Sequence, residues 1–274
     1  MGRPDIDTLK TQAKDIRKTI LKMLSNAGSG HTGGSLSLVE ILLSLYFYKM
    51  RHDPKKPHWD ERDRLILSKG HGCSALYAVL AEAGYFPKNE LMTFRKFGSR
   101  LQGHPQLGLP GLEASTGSLG QGLSISNGMA ISARLDNKPI RTYCIMGDGE
   151  LNEGQVWEAA MTAAHYNLDN VCGIVDNNKL QIDGWCKDVM DLGCLGDKWK
   201  AFGWKVIECD GHDFKEIMDV LDEAESVKGM PTMIIAHTVK GKGVSFIENV
   251  AKWHGIAPKK DELEKALKEL DEKD

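Results

Sequence analysis

Asp148 sits between two glycines in Gly147-Asp148-Gly149, and a pair of asparagines, Asn177-Asn178, follows about thirty residues later. A carboxylate and an amide oxygen are hard donors. They suit Mg²⁺, or Ca²⁺ or Mn²⁺, in a site that keeps positions open for phosphate oxygens and water. Alone, either piece is ordinary turn or cap chemistry. Together they need an element that brings them side by side. Residues 141–146 and 171–176 are short apolar runs rich in β-branched and aromatic side chains, and a helical stretch over 154–167 separates them. This predicts a parallel βαβ unit with Asp148 and Asn178 at neighbouring carboxyl ends of strands, where ligands of such sheets gather. Gly147 and Gly149 are expected to let the backbone turn tightly and approach an anion near the start of the next helix.

Four loops place a histidine beside glycine or proline: Ser29-Gly-His31-Thr-Gly-Gly34, Lys69-Gly-His71-Gly72, Gly103-His104-Pro105 and Trp253-His254-Gly255. Imidazole there hydrogen-bonds an anion or moves a proton near neutral pH. One such histidine is an unremarkable structural residue, whereas four alike form a pattern. Gly117-Ser-Leu-Gly-Gln-Gly122, just ahead of a helix, could wrap a phosphate or an aromatic ring with main-chain groups. His52, His58, His165, His212 and His237 lack such settings and receive no role.

The elements that must hold these loops follow from periodicity. Leu9, Ile16, Ile20 and Leu24 mark a first helix that stops at Gly28-Ser29-Gly30, and Leu38, Ile41, Leu42 and Leu45 mark a second. A strand over 64–68 precedes the Lys69 turn, 74–84 reads as helix, 86–117 as irregular, and 122–135 as helix. Residues 204–209 and 232–237 read as two more strands, joined by an amphipathic helix carrying Phe214, Ile217, Leu221 and Ala224. Leu263, Leu267 and Leu270 suggest a terminal helix within 259–274. At least four strands alternating with helices predict an α/β fold, a mainly parallel sheet covered by helices on both faces. No internal repeat or linker divides the chain, so residues 1–274 are read as one domain.

Composition narrows the classes. With 35 Lys and Arg against 38 Asp and Glu over 274 residues, the net charge of −3 offers no nucleic-acid footprint. The polar start has no signal-peptide core, and the greasiest stretch, 38–48, contains Glu40 and is too short to span a bilayer. The six cysteines lack metal-ligand spacing and read as small core residues, two of them inside strands. A cytoplasmic location is expected, with no membrane partner.

Eight segments in order, SGHTGGSLS (29–37), RDRLILSKGHG (62–72), GHPQ (103–106), GLEASTGSLGQG (111–122), GDGELNEG (147–154), DNNKLQIDG (176–184), WKAFGW (199–204) and WHGIAP (253–258), resemble the amino-terminal domain of transketolase across nearly the whole chain. The resemblance implies a thiamine diphosphate-binding fold. By it, Asp148, Asn178 and the main-chain oxygen of Leu180 ligate Mg²⁺. His71, Gly147, Gly149 and Asn178 touch the diphosphate, while Gly117, Ser118 and Leu119 meet the aminopyrimidine. His31, His104 and His254 bind sugar hydroxyls and assist proton transfer at the mouth, and Glu153 joins a proton network across a subunit interface. Two positions depart from the family pattern: Ser118 stands where GPLG is usual, and Thr32 replaces the proline of SGHPG.

Transketolases continue into a pyrimidine-binding domain, which supplies a glutamate essential to the cofactor's chemistry, and then into a third domain. The resemblance therefore implies the amino-terminal subunit of a split transketolase, working with a separate carboxy-terminal chain in an α2β2 heterotetramer. Its implied reaction is transfer of a two-carbon ketol group from a ketose phosphate such as xylulose 5-phosphate to an aldose phosphate such as ribose 5-phosphate, as in the pentose phosphate pathway. Rival readings are a subunit of another thiamine diphosphate enzyme, either deoxyxylulose-phosphate synthase-like or a ketolase for specialised sugars, and a non-catalytic copy that only binds a partner.

Overall fold

The computed structural model describes residues 2–272; Met1 of the polar start and residues 273 and 274 of the expected terminal helix lie outside the described residues. The first helix, α1 (Ile6–Ala27), is capped by Asp5, whose carboxylate accepts from the Thr8 N–H at 2.9 Å. It ends at Gly28 in left-handed backbone (φ 66°), the conformation that closes a helix with little penalty for glycine. Two short helices follow, α2 (Thr32–Leu36) and α3 (Val39–Ser44), the latter running into a wider turn over Leu45–Lys49. Strand β1 (Arg64–Leu67) then leads through a tight turn at Gly70–Gly72 into α4 (Cys73–Glu82). After the irregular stretch come α5 (Gln121–Leu135), β2 (Thr142–Gly147), α6 (Gly154–His165) and β3 (Val171–Asn177).

Beyond β3 a small hairpin of β4 (Leu180–Gln181) and β5 (Gly184–Trp185) leads to α7 (Cys186–Val189) and α8 (Leu195–Ala201). Strand β6 (Lys205–Asp210), α9 (Phe214–Ser226), β7 (Thr232–His237) and α10 (Lys260–Glu272) complete the chain. The main sheet has the order β1–β2–β3–β7–β6, with every pairing parallel. Successive side chains of β2 face opposite layers. Tyr143 and Ile145 join the core formed with α1, α3, α4 and α9, while Cys144 and Met146 join that of α5, α6 and α8. This double coverage is why the strands read as continuous apolar runs.

Most expected elements are present with ends shifted by a few residues. Two local expectations are corrected. Thr32–Leu36, read as a glycine loop, is a buried helix with His31 at its N-cap position. There, packing outweighs the poor helix propensity of Gly33 and Gly34. The segment after Asn178 is the β4–β5 hairpin rather than a simple corner. All six cysteines are free, with Cys144 and Cys172 in the core as expected. His212, given no role, is a structural tie: its Nδ1 lies 3.0 Å from Glu40 Oε2, and its Nε2 accepts from the Val239 N–H at 2.8 Å.

Candidate active site

Register places Gly147 of β2 opposite Asp176 of β3, so Asp148 and Asn178 emerge from adjacent strand ends. A cavity of ≈ 190 Å³ opens there, lined among others by Asp148, Asn178, Leu180, Leu119, Gly147, Gly149, His71 and His254. Asp148 is 3% exposed. Its carboxylate accepts from the Gly149 N–H at 2.7 Å and, more closely, from the Lys179 N–H. Burial, reinforced by the neighbouring Asp176, pushes the Asp148 carboxyl up to about 6, outweighing the main-chain N–H donors and the charge of Lys69. Asn178 Oδ1 accepts from the Leu180 N–H at 3.1 Å, and its amide donates to Asp176 at 3.2 Å. Among the described residues no group of three or more His, Cys, Asp or Glu is arranged to hold a metal. The candidate set is instead one carboxylate, one amide oxygen and one main-chain carbonyl, which fits a hard cation with phosphate oxygens completing its shell.

Gly149 opens a tight turn over Gly149–Asn152. Neither it nor Gly147 has left-handed backbone. What demands glycine at 149 is the Gln181 side chain, whose Cβ would lie 2.9 Å from a Cβ placed there. Gln181 Nε2 is buried without a partner, an orphaned donor close to the cavity.

The four loop histidines converge. His31 is central, its ring centroid 5.3 Å from His71, 5.8 Å from His104 and 5.7 Å from His254, and His71 lies 5.2 Å from His254. Burial, then Arg95, His104 and two lysines, push His31 down to about 4. Burial and Lys240 push His254 down to about 3. His71 is held well below the ordinary value by burial and Lys69, and His104 below it by burial and Arg95. All four imidazoles are therefore neutral at pH 7, each with one ring nitrogen able to accept a hydrogen bond. Gly117 has φ 135°, and a Cβ there would come within 2.9 Å of the His104 ring, so only glycine lets the 117–120 loop meet the histidine mouth. Leu119 lines the cavity, Ser118 lies beside it in the same loop, and Glu153 is exposed at the start of α6, where its Cβ abuts Gly120.

Sequence reasoning missed four buried ionic groups. Lys69 Nζ donates to Gly34 O at 3.1 Å and pairs closely with Asp176. Burial alone would raise the Asp176 carboxyl, but Lys69, Thr238 and Ser37 hold it below its ordinary range. Lys240 Nζ donates to Leu180 O at 2.8 Å and lies 2.8 Å from His254 Nδ1; burial and Lys69 push it down to about 8. Glu150 gathers three loops, accepting from Ser68 Oγ, from Gly120 N at 2.8 Å and from Gly147 N at 3.0 Å. The signal for Lys240 was a lysine followed by glycine just beyond a strand, the same setting that singled out Lys69-Gly-His-Gly. A second hollow of ≈ 490 Å³ lies on the other side of Asp148, between the 185–196 segment and the ends of β3, β6 and β7.

Comparison with known proteins bears on the fold and the family. The chain is 46% identical over 272 residues to the 6-deoxy-6-sulfo-D-fructose transketolase subunit SqwG of Clostridium sp. (strain MSTE9), covering 99% of this chain and 98% of the relative. It is 47% identical over 266 residues to an apulose-4-phosphate transketolase subunit of Actinobacillus succinogenes, covering 96% of each. The crystal structure of transketolase from Campylobacter jejuni superposes with a TM-score of 0.92 at 33% identity, over 98% of this chain and 43% of that one. The chain thus spans less than half the length of that solved transketolase. Residues 8–272 match the family described as transketolase, thiamine diphosphate binding domain, and the chain belongs to that family.

Proposed function

We propose that this chain, as one domain, is the amino-terminal subunit of a split transketolase, holding the diphosphate and metal end of thiamine diphosphate while a separate carboxy-terminal chain completes the site. The observation that carries the reading is the convergence of Asp148, Asn178 and Leu180 on one cavity with the four neutral histidines beside it. In this reading Asp148, Asn178 Oδ1 and Leu180 O would hold Mg²⁺. Leu180 O already accepts from Lys240, and a carbonyl has a second lone pair for a cation. His71, Lys69, Lys240 and the main chain at Gly147 and Gly149 would face the diphosphate, and Gly117, Ser118 and Leu119 the aminopyrimidine. When bound, thiamine diphosphate supplies the nucleophilic carbon and the electron sink that ketol transfer needs. His31 and His104, kept uncharged, would accept hydrogen bonds from sugar hydroxyls, and His254, its Nδ1 taken by Lys240, would donate one from Nε2, so that the three orient the sugar and assist proton transfer. Glu153, exposed at the head of α6, would reach the partner's proton network.

The substrates are a ketose phosphate donor and an aldose phosphate acceptor. Xylulose 5-phosphate and ribose 5-phosphate are one pair. The near full-length relatives named for apulose 4-phosphate and 6-deoxy-6-sulfo-D-fructose support a second reading, a ketolase for a less common sugar. An α2β2 heterotetramer is the assembly we infer, since those relatives are themselves named as subunits. Among the described residues no helix is long and apolar enough to cross a membrane. Six free thiols, five of them buried, support a reducing, cytoplasmic setting. The test is a coupled ketol-transfer assay with the purified chain, its partner, Mg²⁺ and thiamine diphosphate, run across both groups of sugars. Turnover is expected only with both chains present; turnover by this chain alone would refute the dependence.

A further inference from the structure

Five described non-glycine residues have left-handed backbone. Three are asparagines, which tolerate it, and Lys179 lies between two candidate metal ligands. Arg95, at φ 58°, has no such local reason. Its side chain is equally unusual. The guanidinium is permanently charged and lies over the Phe94 ring, its Cζ 5.6 Å from the centroid, yet among the described residues it forms no ion pair. Its hydrogen bond to Ser29 Oγ is long, at 3.3 Å, and its Nε is buried with no acceptor. Strained backbone and an under-partnered charge at one residue are two costs that gather at functional sites.

The surroundings say what those costs serve. A Cβ on Gly103 would come within 2.5 Å of Arg95 Nη2 and 2.6 Å of its Cζ and Nε, so the guanidinium is seated directly on the turn that carries His104. Tyr77 Oη holds the same turn from α4, its single O–H shared between the carbonyls of Gln102 and His104, each 3.1 Å away. The His104 ring then packs on Gly117 and faces His31. We propose that Arg95 is a positioning residue of the histidine mouth: its guanidinium buttresses the Gly103–His104 turn and holds a fixed positive charge beside the His104 and His31 rings.

The groups facing each imidazole are few enough to isolate the effect. His104 meets Arg95 and His31. His31 meets Arg95, His104, His71, His254, Lys69 and Lys240. Arg95 is the permanent charge common to both. A neutral imidazole offers an acceptor to a hydroxyl proton, and an imidazolium does not. The inference rests on the roles given above to His31 and His104, but its first readout does not.

That readout is a histidine ring titration by NMR on the full chain alone, comparing wild type, Arg95→Gln, Arg95→Lys and Gly103→Ala. Arg95→Gln is expected to raise the protonation constants of His104 and His31 by more than about threefold. Arg95→Lys, which keeps the charge, should stay near wild type. Gly103→Ala should move them upward with arginine retained, because the new Cβ displaces the guanidinium; it also keeps the test alive if Arg95→Gln does not fold. In the reconstituted enzyme Arg95→Gln should lower kcat, shift the acid limb of the rate profile to higher pH and leave KM little changed. Unchanged ring titrations in both Arg95→Gln and Gly103→Ala overturn the proposal. So does a KM rise confined to phosphorylated sugars with unchanged titrations, which would make Arg95 an anion ligand instead. Failure of the wild-type pair to transfer ketol groups would sink the functional reading and leave the titration result standing.

Discussion

At Asp148 burial and a second acid, Asp176, lift the carboxyl to about 6 despite two main-chain N–H donors and the charge of Lys69. A divalent cation removes that imbalance, so Asp148→Ala should weaken thiamine diphosphate binding in Mg²⁺ by about a hundredfold or more, since even outer partners of metal ligands are worth 10- to 100-fold. Isothermal titration of the chain with its partner checks this, and undiminished affinity would remove the metal assignment. Lys240 belongs to the same scale. Lys240→Met strips a donor from Leu180 O and a partner from His254 Nδ1. The expected result is cofactor affinity reduced roughly tenfold with the fold retained, as one charge-assisted contact is worth about 1.5–3 kcal/mol. Asp148, Asn178 and the histidines were legible because their residue types sit at strand ends in glycine-rich contexts. Lys69, Lys240, Asp176 and Glu150 were not assigned, since a lysine or acid in sequence looks the same whether it is solvated or buried in a pair.

Between elements, the buried group joining α1, α3 and the turn before α9 is Glu40, held by Arg17 at 2.7 Å and His212 at 3.0 Å. Burial would raise its carboxyl, but Arg17 and His212 outweigh that and hold it at about 2. A carboxyl depressed on folding contributes stability in full above its unfolded value near 4.5 and loses it as the pH falls toward 2. Glu40→Gln should therefore cost about 3–5 kcal/mol in urea unfolding at pH 7, the cost of stranding a buried partner, and much less at pH 3. An equal deficit at both pH values would show that packing, not charge, carries the effect. The approach of α5 to β1 is equally exacting: a Cβ on Gly122 would lie 2.3 Å from Ser68 Cβ. Gly122→Ala is expected to destabilise the chain by about 1–3 kcal/mol, measured the same way, despite alanine's better helix propensity. Helix and strand identities were legible here from period, as in β2 and β3. The α2 helix was not, because glycine-rich sequence predicts a loop and only burial makes it helical.

For the whole molecule, one parallel sheet gathers loops after β1, β2, β3 and β7 at a single edge, and residues from those loops line one cavity or its rim. Mixing this chain with its carboxy-terminal partner, Mg²⁺ and thiamine diphosphate should give a species in analytical ultracentrifugation with the mass of two copies of each, and tighter association with cofactor than without it, because a ligand held by both chains stabilises their complex. Association unaffected by cofactor would place the interface away from the site.

What the amino-acid order by itself determined was the α/β layering and which short motifs carry acid, amide and imidazole groups at element ends. Apolar period and the chemistry of short motifs are local properties, readable along one strand or loop. Which motifs meet was decided by strand order and register, which set Gly147 beside Asp176 and brought residues far apart in the chain to one strand edge. Tertiary structure alone also decided where charges meet, the buried Lys69 with Asp176 and Lys240 on Leu180, and the half-buried Arg95 on the His104 turn. Their energies depend on desolvation and on partners distant along the chain, and no local pattern carries that information.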